Sequence, residues 1–257
     1  MKQQNSVFAD EDTDLKSHIM EVFENFDNEG TMIGEDKRNT IKWVKSDGRL
    51  LNFKSFKKPN SFNRLVYQYF RKSKARRSFE YAQLLLGNNF HTPAPIAYME
   101  TYGILGLSKS FYVSEHLEDS WTLREILNRS TAEEKAKVLG AYTVLMYQLH
   151  ERGIEFIDNT AGNFLLRPEN NAYRFYLVDL NRMNFHCVMG QSRRLRNLSR
   201  LSNDPQIIET VGIHYARLAG WAEEYCYKKM KVYAKRRNFG RDSKRILKSI
   251  AKGKAIR

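Results

Sequence analysis

Asp158, Asn163 and Asp179 are the residues whose types and spacing point most directly to a reaction. Asn163 follows Asp158 by five positions, and Asp179 ends the apolar run Phe175-Tyr-Leu-Val178. One carboxylate can orient an attacking hydroxyl and accept its proton. An amide and a second carboxylate can hold Mg²⁺ against the phosphates of a nucleotide. Phosphoryl transfer requires that set of groups. Asp158 is therefore the candidate catalytic carboxylate, and Asn163 and Asp179 are the candidate metal ligands. The cofactors this implies are ATP and Mg²⁺.

Elements on both sides must position these groups. Ser130-Thr-Ala-Glu133 is a capping-box pattern. It opens a helix with Val138, Tyr142, Leu145 and Leu149 on one face, stopped by Gly153, and this helix delivers the chain to Asp158. His150, just before the stop, reads as a cap or packing histidine rather than a base. Phe175–Arg182 reads as a buried strand ending at Asp179.

Upstream, Thr40–Lys45 and Arg49–Phe56 are β-prone runs around Asp47-Gly48, a strong hairpin signal. Leu51 and Phe53 alternate with Asn52 and Lys54, so Lys54 projects from the opposite face and is a candidate for nucleotide phosphates. Residues 60–87 read as a helix. Phe62, Leu65, Val66, Tyr69 and Phe70 recur at helical spacing, followed by Ala75, Phe79, Ala82 and Leu86, with Gly87 as the stop. Between Asp47 and Glu100 the single acidic residue is Glu80, set among many cations. It is either the ion-pair partner of a specific lysine or a surface glutamate with local neighbours.

Gly30 and Gly34 lie in a polar loop that can cover phosphates, without the full glycine pattern of such loops; ordinary turns are the other reading. Pro95–Glu100 and Lys109–Leu117 read as strands around a turn with Gly103 and Gly106. The connector Glu115–Leu117 is placed to read an adenine edge through its backbone, so Glu115 and Leu117 join the candidate cofactor-binding residues. Past Asp179 comes the basic run 192–201, then a helix over 205–225 with Ile207, Val211, Tyr215 and Ala219 on one face.

The chain has 257 residues, enough for one large domain or two lobes. The polar start lacks the apolar core of a secretory signal, and no apolar run is long enough to span a bilayer. Cys187 and Cys226 show no metal-ligand spacing and read as free thiols. The formal charge is +14; from Cys226 to Arg257 there are 13 Lys/Arg and one acid, so 13 − 1 = +12 falls in that tail. A second basic block runs from Arg49 to Arg77. Such blocks attract polyanions, including nucleic acid and anionic lipid.

The parts occur in the order lysine strand (Lys54), helix glutamate (Glu80), connector, capped helix, Asp158–Asn163, Asp179, which is the order of the protein-kinase fold. Gly153-Ile-Glu-Phe-Ile-Asp-Asn-Thr-Ala-Gly-Asn163 resembles a kinase catalytic loop with Phe156-Ile157 where His-Arg or His-Gly is usual. Val178-Asp-Leu-Asn181 stands where the magnesium-binding Asp-Phe-Gly would be. More closely, the chain resembles the bacterial lipopolysaccharide core kinases of the Kdo/WaaP family. The resemblance covers roughly residues 28–200. It rests on Asn52-Phe-Lys-Ser-Phe-Lys, on Tyr69-Phe-Arg-Lys-Ser-Lys-Ala-Arg-Arg-Ser-Phe-Glu-Tyr-Ala, on Thr92-Pro-Ala-Pro-Ile-Ala-Tyr-Met-Glu, on the loop 149–166 and on Val178–Arg182.

The resemblance implies an α+β, protein-kinase-like bilobal fold: a small β-rich N-lobe with one long helix, and a mainly helical C-lobe. It implies a polar extension over 1–27, an N-lobe over 28–117, a C-lobe over 118–225 and a basic tail over 226–257. It also implies that Lys54 contacts nucleotide phosphates and pairs with Glu80, that Asp158 is catalytic, and that Asn163 and Asp179 hold Mg²⁺. The expected reaction is ATP-dependent phosphorylation of a Kdo or heptose hydroxyl of the lipid A–core. The expected enzyme is a cytoplasmic monomer, peripheral at the inner face of the inner membrane, with its basic tail on anionic lipid.

An atypical bacterial protein kinase would share the same catalytic residues. A pseudokinase binding polyanions is the reading that Phe156 and the sparse glycine loop favour. A nucleic-acid-binding module accounts for the charge but not for Asp158, Asn163 and Asp179 in kinase order, so no nucleic-acid partner is expected. No Ala-Pro-Glu-like end to an activation segment follows Asp179, which favours a non-protein acceptor.

Overall fold

In the computed structural model the described residues are all except 1–2, 10–11, 35–38, 60–66, 68–70, 171, 187 and 251–257, with side chains described to residue 240. The first elements are β1 (Gln3–Phe8), α1 (Thr13–Glu24), β2 (Thr31–Met32), β3 (Asn39–Ser46), β4 (Arg49–Phe56), α2 (Lys74–Gly87), β5 (Pro95–Gly103) and β6 (Gly106–Glu115). Then come β7 (Trp121–Thr122), α3 (Leu123–Arg129), α4 (Ala132–Glu151), β8 (Glu155–Phe156), a 3₁₀ turn (Ala161–Asn163), β9 (Phe164–Glu169), β10 (Ala172–Leu177) and β11 (Met183–Asn184). The chain closes with α5 (Gln191–Leu198), α6 (Pro205–Ala219) and α7 (Glu223–Ile250). They form two compact units, Met1–Ser120 with Leu165–Arg182, and Trp121–Phe164 with Met183–Arg257. The mixed α+β class expected from the sequence is the class observed.

The first unit is built on an antiparallel sheet in the order β1-β5-β6-β4-β3-β2. Asp47 and Gly48 close the β3–β4 hairpin with φ of 45° and 75°, the left-handed pair that a tight hairpin turn requires. Strand alternation divides the side chains between two faces. Leu51, Phe53, Met99, Phe111 and Val113 pack with Leu15, Ile19, Val22 and Phe23 of α1. On the other face Phe56, Tyr98 and the partly buried Tyr112 pack with Ala75 and Phe79 of α2. Lys54 shares the parity of Phe56 and therefore lies on the α2 face.

Residues 1–20 read as polar and partly unstructured, and 1–27 as an extension. Instead β1 pairs with β5 from Gln3↔Tyr102 to Phe8↔Ala97. Asp12 caps α1 by accepting from the N–H groups of Asp14 and Leu15. The apolar stripe Leu15, Ile19, Val22, Phe23 was interrupted by enough charge to hide it. After α1, the buried Lys42 ammonium donates to the carbonyls of Phe26, Asp27 and Glu29 at 2.6, 3.1 and 2.9 Å, fixing the turn that leads to Gly30.

Of the single helix expected over 60–87, the described Tyr67 is helical, the chain then breaks, and a separate helix starts at Lys74. Residues 71–73 are not helical, and the Ser73 side chain accepts from the N–H of Arg76 as the cap. The apolar set Phe62, Leu65, Val66, Tyr69 and Phe70 lies outside the described residues.

The second unit is mainly helical. The cap of α4 is Thr131, which accepts from the N–H of Glu134, one residue later than the expected Ser130. The reciprocal capping box occurs at Thr122 and Glu125 instead. Gly153 takes φ 67° and ends the α4 turn, as its position predicts. The strand β8 pairs with β11 through Phe156↔Met183 and Glu155↔Asn184.

The basic tail is not a separate appendage in its first half. Cys226, Met230 and Ala234 are buried at helical spacing on α7, and a Cβ on Gly212 of α6 would lie 2.9 Å from Cα of Tyr227. The glycine therefore allows the two backbones their close approach. Arg237 donates to the carbonyls of Ser199 and Ser202 and to Asn203. Cys226 is a free, buried thiol; Cys187 lies outside the described residues.

Candidate active site

In the first unit the site is built around Asp179. Two hydrogen bonds strap the end of β10 to the loop before β5: Leu177 N–H to His91 O at 3.0 Å, and Thr92 Oγ1 to Leu177 O at 2.8 Å. Two residues further on, Asp179 adopts φ 60°. A non-glycine residue held in the left-handed region is uncommon, and such positions cluster at functional sites. Its Oδ1 accepts from Asn181 Nδ2 at 2.6 Å and from Lys54 Nζ at 2.7 Å. The Lys54 side chain is 13% exposed and that of Asp179 is 33% exposed, so the pair lies at the edge of the solvent, where a ligand can reach it.

Glu80 is not the partner of Lys54. Its carboxylate accepts from Lys72 Nζ at 2.7 Å and from Arg76 Nε at 2.9 Å. Arg76 is one helical turn away and Lys72 sits just ahead of the helix, so local cations capture the carboxylate before β4 can. Burial would raise the Glu80 carboxyl, but the bonds from Lys72 and Arg76 outweigh it and leave the group below the usual range. A residue of α2 that does lie beside Lys54 is Lys74, whose ammonium is over the same Phe56 ring; nothing in the sequence singles it out.

Gly30 and Gly34, the candidate phosphate-covering glycines, both have positive φ, 75° and 72°. A Cβ on Gly30 would lie 2.8 Å from both Trp43 O and Val44 Cγ2, whereas one on Gly34 would meet nothing within 4 Å among the described residues. Gly30 therefore has a packing reason of its own. In the connector, the Glu115 N–H donates to Ala94 O and the His116 N–H to Leu50 O. The carbonyls of Glu115 and Leu117 each accept from a nearby serine, Ser114 and Ser120. The Glu115 carboxylate pairs with Arg49 at 3.0 Å.

In the second unit the loop carrying Asp158 is closed by its own backbone. Thr160 N–H donates to Asp158 O at 2.8 Å, Asn163 N–H to Thr160 O at 2.9 Å, and Asn163 Nδ2 to Asp158 O at 2.8 Å. The structure thus brings Asp158 and Asn163 together, and turns the Asn163 amide so that its oxygen is the end not used in this bond. Phe156 is fully buried, with its ring edge-on to Phe164 at 5.5 Å.

Beneath the loop runs a buried polar network absent from the sequence reading. Asn197 of α5 donates from Nδ2 to Phe156 O at 2.8 Å. Its Oδ1 accepts from Asn159 Nδ2 at 3.3 Å and faces His150 Nε2 at 3.2 Å. Tyr142 OH donates to Asn159 Oδ1 at 2.9 Å. His150 Nδ1 lies 2.9 Å from Tyr215 OH. These contacts are mutually consistent with a neutral His150 protonated on Nε2. Burial pushes its pKa down to about 4, which supports the reading of His150 as structural rather than as a base. Arg200, at the end of the basic run 192–201, places Nη2 3.6 Å from Asp158 Oδ1, and its Nε is buried without a hydrogen-bond partner among the described residues.

A model of the lipopolysaccharide kinase (Kdo/WaaP) family matches residues 16–221. The chain belongs to that family. It is accordingly a kinase of lipopolysaccharide biosynthesis, a phosphotransferase that uses ATP and acts on a sugar hydroxyl. Among solved structures, the fold is similar to "WaaP in complex with acyl carrier protein", with a TM-score of 0.61, 19% identity, and coverage of 90% of this chain and 98% of that one. No curated protein matches the chain.

The Asp179 carboxylate is of the kind that suits Mg²⁺ bound together with a nucleotide. Mg²⁺ prefers hard oxygen ligands and is commonly held by one or two carboxylates plus substrate phosphates. Asp179 offers a carboxylate and Asn163 an amide oxygen. No group of three or more His, Cys, Asp or Glu residues able to hold a metal occurs among the described residues. No described helix is long and apolar enough to cross a membrane.

Proposed function

We infer that the protein transfers the γ-phosphoryl group of ATP to a hydroxyl of a Kdo or heptose residue in the lipid A–core, acting at the inner face of the inner membrane. The observation that carries the placement of the nucleotide is the Lys54–Asp179 contact of 2.7 Å, with Asp179 held at φ 60°. A cation and a metal-ligating carboxylate in direct contact are the pair that a nucleotide with its metal ion would engage together. In this reading the first unit serves as the small kinase lobe and the second as the large lobe. The Glu115–Leu117 connector reads adenine, the Gly30–Gly34 loop covers the phosphates, and the basic surface meets anionic lipid.

Asp158 orients the sugar hydroxyl and takes its proton as the oxygen attacks phosphorus. Asn163 and Asp179 are the residues that would hold Mg²⁺, which neutralises charge on the phosphates when bound. Lys54 neutralises charge on the same chain of phosphates, and Glu80 keeps the start of α2 in place through Lys72 and Arg76. Phe156 fills the scaffold position of the usual histidine with an apolar ring.

The test is to supply the purified protein with γ-labelled Mg·ATP and a Kdo–lipid A acceptor, with Asp158→Ala as control. Label in the glycolipid, lost in the variant, is expected. Label in protein alone would replace this reading with that of a protein kinase. No nucleotide binding and no transfer would replace it with that of a polyanion-binding pseudokinase.

A further inference from the structure

Lys74 has no role in the scheme above, yet its surroundings are those of a ligand group. It is the first residue of α2, on the sheet face that also carries Lys54. The two ammonium groups share the Phe56 ring, with Lys54 Nζ at 5.5 Å and Lys74 Nζ at 5.9 Å from its centroid. Lys54 is paired with Asp179; the Lys74 ammonium makes no hydrogen bond or ion pair among the described residues.

The charge around it is unbalanced. Asp179 is the carboxylate that acts on Lys74, while Arg77, Lys54 and Arg182 act on it as like charges. Arg77 is itself buried, at 8% exposure. Glu80, the acid on the same helix, is committed to Lys72 and Arg76. Burial and the neighbouring cations together lower the Lys74 pKa, with Asp179 opposing them. Like charges gathered around one carboxylate are destabilising unless an anion joins them. Among the described residues nothing further balances it; a polyanion small enough to touch two lysines spaced by one aromatic ring would.

We propose that Lys74 is a second phosphate-binding lysine, which together with Lys54 holds the phosphate chain of the nucleotide beside Asp179. The proposal rests on the nucleotide reading of the Lys54–Asp179 pair. It deepens that reading by assigning the counter-charge at this end of α2 to the nucleotide instead of to Glu80. Lys74 would then be a nucleotide-positioning residue: it contributes to phosphate affinity, and adenine recognition is independent of it.

The experiment measures binding of Mg²⁺ with a non-hydrolysable ATP analogue, and separately of adenosine, to the full chain by calorimetry. Lys74→Met is expected to weaken binding of the analogue ~tenfold or more, the size of one charge-assisted hydrogen bond. Adenosine binding and the melting temperature should stay at the wild-type values, and Lys74→Arg should recover most of the loss.

The proposal is overturned if Lys74→Met binds the analogue as the wild type does while Lys54→Met weakens it. Equal weakening for analogue and adenosine, with a lowered melting temperature, would make Lys74 a structural residue and overturn it as well. If Lys54→Met and Asp179→Ala both leave analogue binding intact, the nucleotide reading of this cluster fails, and the proposal with it.

Discussion

Asn197 on α5 holds the backbone of the Asp158 loop by donating to the Phe156 carbonyl, 2.8 Å away and two residues before Asp158. The same side chain accepts a bond from Asn159, directly after Asp158, and faces His150. One buried amide thereby fixes the loop on both sides of Asp158. Asn197→Ala should leave several buried partners without bonds, each costing about 1–3 kcal/mol. We expect a loss of about 2–4 kcal/mol in urea unfolding, with turnover falling more than ATP affinity because the displaced group is Asp158. Wild-type stability in this variant would show that the network is dispensable.

His150 gives the fold an acid sensitivity with a defined window. Its folded pKa is about 4, against about 6.5 in the unfolded chain. The unfolded state therefore binds the proton first. Stability is complete above about pH 6.5, falls as pH drops toward 4 and levels off below that. The difference of two to three pKa units corresponds to about 3 kcal/mol. Urea midpoints measured from pH 7 to 4 should show this decline, and His150→Gln should flatten it. Glu155, lowered against burial by Arg193 and Asn184, loses its contribution only as pH falls below the ordinary carboxylate range, so the two effects separate on the pH axis.

Asp158→Ala and Asp179→Ala should fail in different ways. Loss of a positioned general base typically costs about 10²–10⁴-fold. We expect a drop of that order in kcat for Asp158→Ala, with nucleotide affinity nearly unchanged. Asp179→Ala should weaken metal-nucleotide binding itself, seen as a raised Kd in titrations with Mg²⁺ present. Near-wild-type turnover by Asp158→Ala would show that the roles are wrongly assigned.

Gly30 and Gly34 can be told apart by stability alone. Both carry positive φ, which costs an L-residue about 1–2 kcal/mol. Gly30→Ala adds a collision with the β3 backbone, and Gly34→Ala adds none. Gly30→Ala should therefore lower the thermal midpoint clearly more than Gly34→Ala does. Equal shifts would mean that the chain around Gly30 yields freely.

Much of this architecture was legible in the residues. Asp47-Gly48 specifies its hairpin because two consecutive left-handed residues leave few alternatives. The spacing from Asp158 to Asn163 is local enough that the loop closes on itself by backbone bonds. Ion-pair choice was less legible: many Lys and Arg surround Glu80 in the sequence, and their order does not say that Lys72 and Arg76 are the ones it meets. Asn197 and Lys74 were invisible for a related reason. An asparagine inside a basic run and a lysine among lysines look like solvent-facing residues until the chain brings Phe156 to one and Phe56 to the other. The stripe of α1 was legible in principle, through Asp12 as a cap and Leu15, Ile19, Val22 and Phe23 behind it, but its charged neighbours masked the period.

The last helix changes what the positive charge near the C-terminus can do. A flexible cationic chain would drape over any anionic surface and lose conformational freedom in doing so. Here Cys226, Met230 and Ala234 bind the first turns of α7 to the body of the second unit, and the helix continues for 28 residues in all, roughly 40 Å at the usual rise. The backbone is ordered before any partner arrives. Such a rod holds the cations of its described turns at positions set by the helix, and several are already engaged: Lys228 with Glu224, Lys231 with Glu209, and Arg237 with Ser199, Ser202 and Asn203.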